Sequence, residues 1–127
     1  MTTAATPGTP ELRAMDPDAL ARLRRFGGER LLNDMIALYL ETARSRLAAA
    51  QEGLTSGDAS ATGNALHSLK SSSAQLGAAR LSELCEEGEA IAQSGVLAGL
   101  DALLQASRDE LERVERWLET ERREAAG

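Results

Sequence analysis

Aromatic residues are almost absent from this 127-residue chain, which contains one Phe, one Trp and one Tyr. Hydrophobic residues nevertheless make up 43% of the sequence, so the core must consist mainly of Leu and Ala, which favour packed helices. Proline is also scarce, and the three prolines are Pro7, Pro10 and Pro17. Proline is the strongest helix breaker, and none occurs after position 17, so no helix beyond that position is interrupted by proline.

Acidic residues outnumber basic ones, and cysteine is almost absent. The formal net charge is −6, which argues against nucleic acid as a partner because nucleic-acid binding requires a basic face. Cys85 is the single cysteine, so no internal disulfide can form, and we expect a buried, inert thiol. The sequence contains no signal-peptide pattern and no apolar run long enough to span a membrane. We therefore expect a cytoplasmic protein with no membrane partner.

Hydrophobic periodicity divides the chain into helices separated by glycine-containing turns. Residues 1–15 show no periodicity and are predicted to be a disordered tail, whereas Asp16-Pro17 is typical of a helix start. The pattern predicts a short helix over about 17–26, a long helix over about 29–54, a helix from Asp58 to near Gly77, a helix over 79–93, and a last helix with an apolar stripe from Leu97 to Leu118.

These helices predict an all-α fold, an antiparallel up-down four-helix bundle with a short extra N-terminal helix across one end. The domain is expected to cover residues 16–123, followed by a flexible C-terminus at 124–127. An extended coiled coil is disfavoured because glycine-containing breaks recur along the chain.

His67 is the only histidine, and the helical phase turns it away from the core. At about 100° per residue, Ala65, Leu69 and Leu76 share one side of the helix, and His67 lies almost opposite them. The other residues on the His67 face are Gly63, Lys70, Ser71 and Ala74. An imidazole on such an exposed, nearly flat patch is typical of a reactive group presented to another protein.

Three ordinary interpretations of His67 compete with a reactive one. A core histidine is disfavoured by the helical phase. A metal ligand is disfavoured because zinc sites use about four ligands, mostly Cys and His, and this chain has one of each. A surface histidine without a function is left open by the composition.

A nucleophilic role for His67 is consistent with its neighbours. A neutral imidazole nitrogen can attack a phosphoryl group, and Lys70 on the same face could neutralise the phosphoryl oxygens. Small residues at Gly63, Ser71 and Ala74 would let a partner close over the ring. The sequence contains no glycine-rich phosphate loop and no acidic Mg²⁺ cluster beside His67. The chain is therefore expected to hold no cofactor, and a partner must supply the phosphoryl group and the Mg²⁺.

A resemblance to a known family is carried by the segment His67-Ser68-Leu69-Lys70-Ser71-Ser72-Ser73-Ala74-Gln75-Leu76-Gly77. This segment closely resembles the signature of histidine-containing phosphotransfer (HPt) domains of bacterial phosphorelays. The resemblance continues through Leu84-Cys85-Glu86-Glu87, Leu23-Arg24-Arg25-Phe26-Gly27-Gly28 and Tyr39-Leu40-Glu41, and it spans about residues 17–120.

The resemblance implies a monomeric helical bundle that carries phosphoryl groups between receiver domains of response regulators or hybrid histidine kinases. His67 would be the phosphoacceptor, Lys70 would assist electrostatically, and Gly77 would allow close packing where the helix ends. In some members of the family a side chain from the next helix bonds the histidine, and Glu89 matches that position. A solvated glutamate is an equally good interpretation of Glu89.

Two positions depart from the family pattern. Ser71 stands where glycine is frequent, but serine is still small enough for docking. Gly88 stands inside the fourth helix, where a larger apolar residue is usual, and it either permits close helix packing or loosens the bundle near Glu89. A mid-helix glycine costs about 1 kcal/mol relative to alanine.

Docking of a receiver is expected to use the His67 face. The expected partner contacts on or near this face are Gly63, Ser71, Ala74 and Gly77. The start of the long helix near Glu29 to Asp34 is expected to contribute, together with Leu20 and Leu23 of the short helix unless these two are core residues.

The sequence thus predicts a phosphocarrier without kinase or ATP-binding activity of its own. The alternative is a non-catalytic helical adaptor that binds a receiver or kinase without phosphotransfer. The presence of both His67 and Lys70 favours the phosphocarrier.

Overall fold

The computed structural model describes residues 14–126 of the chain. Four helices account for the fold, namely α1 (Pro17–Ser56), α2 (Ala59–Gln75), α3 (Ala79–Ser94) and α4 (Leu100–Ala126). Each helix packs against the next one along the chain, and α4 also packs against α1. The described range contains no strand, so the predicted all-α four-helix bundle is confirmed.

The segments expected as a short and a long helix form one element, α1, with a kink at Gly28. Gly28 has a φ of 75° and a ψ of −172°, a conformation that glycine adopts far more readily than other residues. As the sequence predicts, Asp16 caps the start of α1, where its side chain accepts a hydrogen bond from the backbone N–H of Asp18 at 3.1 Å. The expected extra N-terminal helix is therefore the first arm of a kinked α1.

The other helix ends follow local signals in the sequence. Asp58 caps α2 by accepting a hydrogen bond from the backbone N–H of Ala61 at 3.0 Å. The last helix begins at Leu100 and not at Leu97, because the preceding turn contains Gly99 with a φ of 92°. Leu97 still packs against the core from that turn.

Both ends of the domain extend slightly past the predicted boundaries. Ala14 is buried and Met15 packs against the core, so these two residues belong to the fold and not to the tail. The remaining residues of the predicted tail, 1–13, lie outside the described residues. At the other end, α4 continues to Ala126, so the backbone at 124–126 is helical.

The core consists almost entirely of aliphatic side chains, as the composition requires. Its largest fully buried members include Leu32, Ile36, Leu66, Leu69, Leu81, Leu104 and Leu118. Tyr39 is the aromatic member of the core, its hydroxyl lies 2.7 Å from Ser73 Oγ, and burial raises its pKa. Cys85 is fully buried, as predicted, and burial raises the pKa of its thiol to about 12.

Gly88 allows α3 to pack closely against its two neighbours. A Cβ atom at this position would lie 2.7 Å from Leu66 Cδ1 in α2 and would overlap Leu103 Cδ2 in α4. Of the two interpretations of Gly88 left open by the sequence, the structure supports close helix packing. Glu89, the next residue of α3, follows directly on this close contact with α2.

No helix within residues 14–126 has an apolar stretch of the length and hydropathy needed to cross a membrane.

Candidate functional site

The rotation of α2 in the bundle determines which of its side chains reach solvent. Ala65, Leu66 and Leu69 are buried in the core, and Leu69 is fixed there two residues from His67. The His67 side chain is consequently turned outward, and 62% of it is exposed. Its imidazole is therefore accessible to a partner protein.

Glu89 of α3 connects His67 and Lys70 of α2. Its Oε2 lies 2.8 Å from His67 Nδ1, and its Oε1 accepts a hydrogen bond from Lys70 Nζ at 2.9 Å. Only 15% of the Glu89 side chain is exposed. Of the two interpretations of Glu89 left open by the sequence, the structure supports contact with the imidazole.

The contact with Glu89 decides which nitrogen of His67 is available for chemistry. An ionised carboxylate can only accept hydrogen bonds, so Nδ1 must carry the proton. In a neutral imidazole the lone pair then resides on Nε2. No other described residue forms a hydrogen bond to Nε2, and His67 therefore presents a free nucleophilic nitrogen on the surface of α2.

The charges of Glu89 and Lys70 stabilise each other. The hydrogen bond from Lys70 lowers the pKa of Glu89, and the bond to His67 lowers it further, although burial acts in the opposite direction. The hydrogen bond to Glu89 likewise raises the pKa of Lys70. Both groups are therefore ionised near neutral pH, and the carboxylate that orients the imidazole is itself held in place by Lys70.

Removing the Lys70 ammonium should raise the pKa of Glu89. In the folded protein the pKa of Glu89 is lowered. The ionised carboxylate therefore stabilises the folded protein fully above the ordinary glutamate pKa, and this stabilisation is lost as the pH falls through the lowered pKa. We expect the Glu89 titration midpoint, followed by NMR of its carboxyl carbon, to move upward in Lys70→Met. The control Arg25→Met removes one positive charge at an exposed position elsewhere and should leave the midpoint unchanged. Equal midpoints in wild type and Lys70→Met would contradict the conclusion that the Lys70 ammonium lowers the pKa of Glu89.

Three of the four predicted partner contacts lie at least partly exposed on α2. Ser71 and Ala74 are exposed, and Gly63 is half-buried. The hydroxyl of Ser71 lies 3.4 Å from the carbonyl oxygen of His67, to which it can donate within the helix. Ser71 therefore adds a small group beside His67 and leaves the ring accessible.

The structure corrects the expected role of Gly77 as a partner contact. Gly77 is buried, and its carbonyl oxygen accepts a hydrogen bond from the backbone N–H of Asp16 at 2.7 Å. It has a φ of 82° and lies against the start of α1, close to Ala19. Gly77 thus supports packing within the chain where α2 ends, as the resemblance implies, but it is not part of a docking surface.

The structure decides between the two interpretations of Leu20 and Leu23 in the first arm of α1. Leu20 is fully buried in the core, and Leu23 is partly buried against it. The exposed apolar residue of this arm is Phe26, of which 87% is accessible. Phe26 lies just before the kink at Gly28, where helical periodicity gives no information about exposure.

The described residues contain no group of three or more His, Cys, Asp or Glu side chains arranged to hold a metal ion.

Comparison with known proteins places the chain in a family. The family model of the Hpt domain matches residues 34–117, a range that contains all of α2 and α3. Among solved structures, the chain is similar to histidine-containing phosphotransfer protein B (HptB) from Pseudomonas aeruginosa PAO1. The sequence identity is 27% and the TM-score is 0.85, and the match covers 89% of this chain and 97% of that chain. Comparison with curated proteins gave no match. The chain therefore belongs to the Hpt domain family.

Proposed function

We propose that this protein is a phosphoryl carrier in a two-component phosphorelay. His67 accepts a phosphoryl group from the phosphoaspartate of one receiver domain and passes it to the aspartate of another. The observation that carries the proposal is the exposed imidazole of His67, whose Nδ1 lies 2.8 Å from Glu89 Oε2 and whose Nε2 has no hydrogen-bond partner among the described residues. Membership of the Hpt domain family supports the same class of reaction.

The transfer uses one nitrogen of His67 as the nucleophile and the other as an anchor. The Nε2 lone pair attacks the phosphorus atom, a bond forms between nitrogen and phosphorus, and the bond between phosphorus and the aspartyl oxygen breaks. The aspartate leaves as a carboxylate. The proton on Nδ1 stays in place, and the adjacent Glu89 carboxylate stabilises the positive charge that develops on the ring. The reverse sequence of steps delivers the phosphoryl group to the second receiver.

Lys70 has two roles in this mechanism. In the free protein its ammonium group holds Glu89 Oε1 at 2.9 Å, which keeps the carboxylate aligned with the ring. Lys70 lies one turn from His67 on the same helix, so its charge also attracts the phosphoryl oxygens when a receiver docks. The receiver supplies the Mg²⁺ that neutralises the phosphate within its own site.

Loss of the Glu89 carboxylate should slow phosphoryl transfer. We expect Glu89→Ala to lower the single-turnover rate of transfer from a phosphorylated receiver roughly 10- to 100-fold, by analogy with the loss of a carboxylate that orients a metal-binding histidine. Glu89→Gln should lower it less, because the amide oxygen can still accept the hydrogen bond from Nδ1. Rates in both variants equal to that of wild type would show that Glu89 does not orient the ring.

The proposal is tested by transfer from phosphorylated receiver domains to the wild-type protein. We expect a label that is lost in mild acid and survives base, as phosphohistidine does, and that moves to a second, unphosphorylated receiver. The competing function is a non-catalytic adaptor that binds a receiver or kinase. A folded protein, verified by circular dichroism, that binds a receiver but takes up no label from it would support the adaptor instead.

A further inference from the structure

A shallow groove begins at His67 and extends in one direction along the seam between α2 and α3. It encloses about 630 Å³. Its walls come from the first half of α2, up to His67, and from the last part of α3, from Glu89 onward, together with the turn that follows α3. The groove therefore runs toward the start of α2 and away from Gly77.

The floor of the groove is formed by small residues. A Cβ atom at Gly63 would lie 3.5 Å from the Cβ of Ala92, which is an ordinary contact distance, so a Cβ fits there without a clash. Besides His67, the one ionisable group in the lining is Glu89, and its carboxylate is already bonded to His67 and Lys70. The rest of the groove is uncharged, which disfavours a strongly acidic or basic occupant.

Two carboxamides border the groove, Asn64 on α2 and Gln93 on α3. Both residues are exposed, and neither side chain forms a hydrogen bond with another described residue. A carboxamide offers an N–H donor and a C=O acceptor, the same pair that a peptide group offers. Asn64 and Gln93 can therefore bond to the backbone of an uncharged, extended segment lying between them.

We propose that the groove seats an uncharged loop of the receiver domain next to its phosphoaspartate, with the loop backbone bonded to Asn64 and Gln93. This inference rests on the proposed function, since the occupant is the partner that reaches His67. The groove is continuous with the reactive nitrogen. Hydrogen bonds to Asn64 and Gln93 need backbone N–H and C=O groups that are not already paired within a helix or a strand. A surface loop offers such groups, so a loop is the element placed beside His67 during transfer.

The test compares the labelling of His67 by a protein phosphodonor with its labelling by a small-molecule phosphodonor. Gly63→Leu fills the groove, and its Cβ has room in the structure. We measure labelling of His67 by a phosphorylated receiver and by phosphoramidate, which needs no docking surface. In Gly63→Leu, the rate of labelling by the receiver divided by the rate of labelling by phosphoramidate is expected to fall at least tenfold. The main cause should be weaker docking, seen as a higher receiver concentration needed for the half-maximal rate of labelling. Ala106→Leu adds the same side chain at an exposed position of α4, a helix that does not pack against α2, and should leave the ratio unchanged.

A second variant covers the case in which Gly63→Leu does not fold. The double variant Asn64→Ala/Gln93→Ala removes two exposed carboxamides, and we expect the ratio to fall about fivefold for each hydrogen bond lost. An unchanged ratio in the folded variants would overturn the proposal.

NMR titration of the labelled chain with the unphosphorylated receiver gives an independent measurement. Shifts at the amides of Gly63, Asn64 and Gln93 are expected, and shifts confined to the part of the His67 face nearer Gly77 would overturn the groove assignment. If no phosphorylated receiver labelled wild-type His67, the proposed function would fail, whereas the titration would still decide whether a receiver occupies the groove.

Discussion

Replacing His67 by Gln is expected to abolish phosphoryl acceptance while preserving the fold. A carboxamide has no nucleophilic nitrogen lone pair, so it cannot replace Nε2. Because 62% of the His67 side chain is exposed and Glu89 is its one hydrogen-bond partner among the described side chains, the substitution removes little packing. We expect labelling by a phosphorylated receiver to fall by more than about a thousandfold, the order of effect seen when a catalytic nucleophile is removed.

Binding of the receiver separates this outcome from a failure to dock. His67→Gln should compete with the wild-type protein for a phosphorylated receiver, since it retains Gly63, Ser71 and Ala74 on the same face. The melting temperature should remain close to that of wild type. Persistent label on the variant would require a different acceptor and would contradict the mechanism. Cys85 is a poor candidate for such an acceptor because it is fully buried and its pKa is raised to about 12.

Gly77→Ala is expected to destabilise the fold more than the matched substitution Gly57→Ala. Gly77 and Gly57 have nearly the same φ, 82° and 76°, so alanine at either position carries the same left-handed strain of about 1–2 kcal/mol. A Cβ atom at Gly57 meets nothing within 4 Å, whereas at Gly77 it overlaps the carbonyl oxygen of Asp16 and lies 3.1 Å from Ala19 Cβ. The first arm of α1 must move to relieve this overlap.

Thermal unfolding measures the difference between the two substitutions. The movement of α1 weakens the hydrogen bond from Asp16 N–H to the Gly77 carbonyl and the packing beside it. The expected losses in the free energy of unfolding are therefore about 3 kcal/mol for Gly77→Ala and about 1 kcal/mol for Gly57→Ala. At about 4 °C per kcal/mol for a domain of this size, the melting temperatures should fall by about 12 °C and about 4 °C. Equal shifts would show that the contact between α2 and the start of α1 adds no stability.

Local signals in the sequence were sufficient to predict the helices and the outward position of His67. The 3.6-residue period of Ala65, Leu69 and Leu76 determines which side of α2 is buried, and the capping residues Asp16 and Asp58 mark helix starts through bonds to backbone N–H groups two or three residues away. These properties depend on neighbours within one or two turns of the same helix. The same period could not predict the side chains near Gly28, because the kink there breaks the helical phase. The exposed Phe26, two residues before the kink, was thus missed. Leu20 and Leu23 had been left open between core and surface.

The sequence by itself determined the helical class of the protein, the helix carrying His67 and the presence of Lys70 on the same face. Only the tertiary structure decided that Glu89 contacts both residues, that Gly77 packs inside the chain and that a groove extends from His67 to one side. The contact between His67 and Glu89 joins residues 22 positions apart, and it depends on how α3 is shifted along α2. Gly88 permits that arrangement, because the absence of a Cβ atom lets α3 approach Leu66. Such packing between helices is not encoded by any single helix.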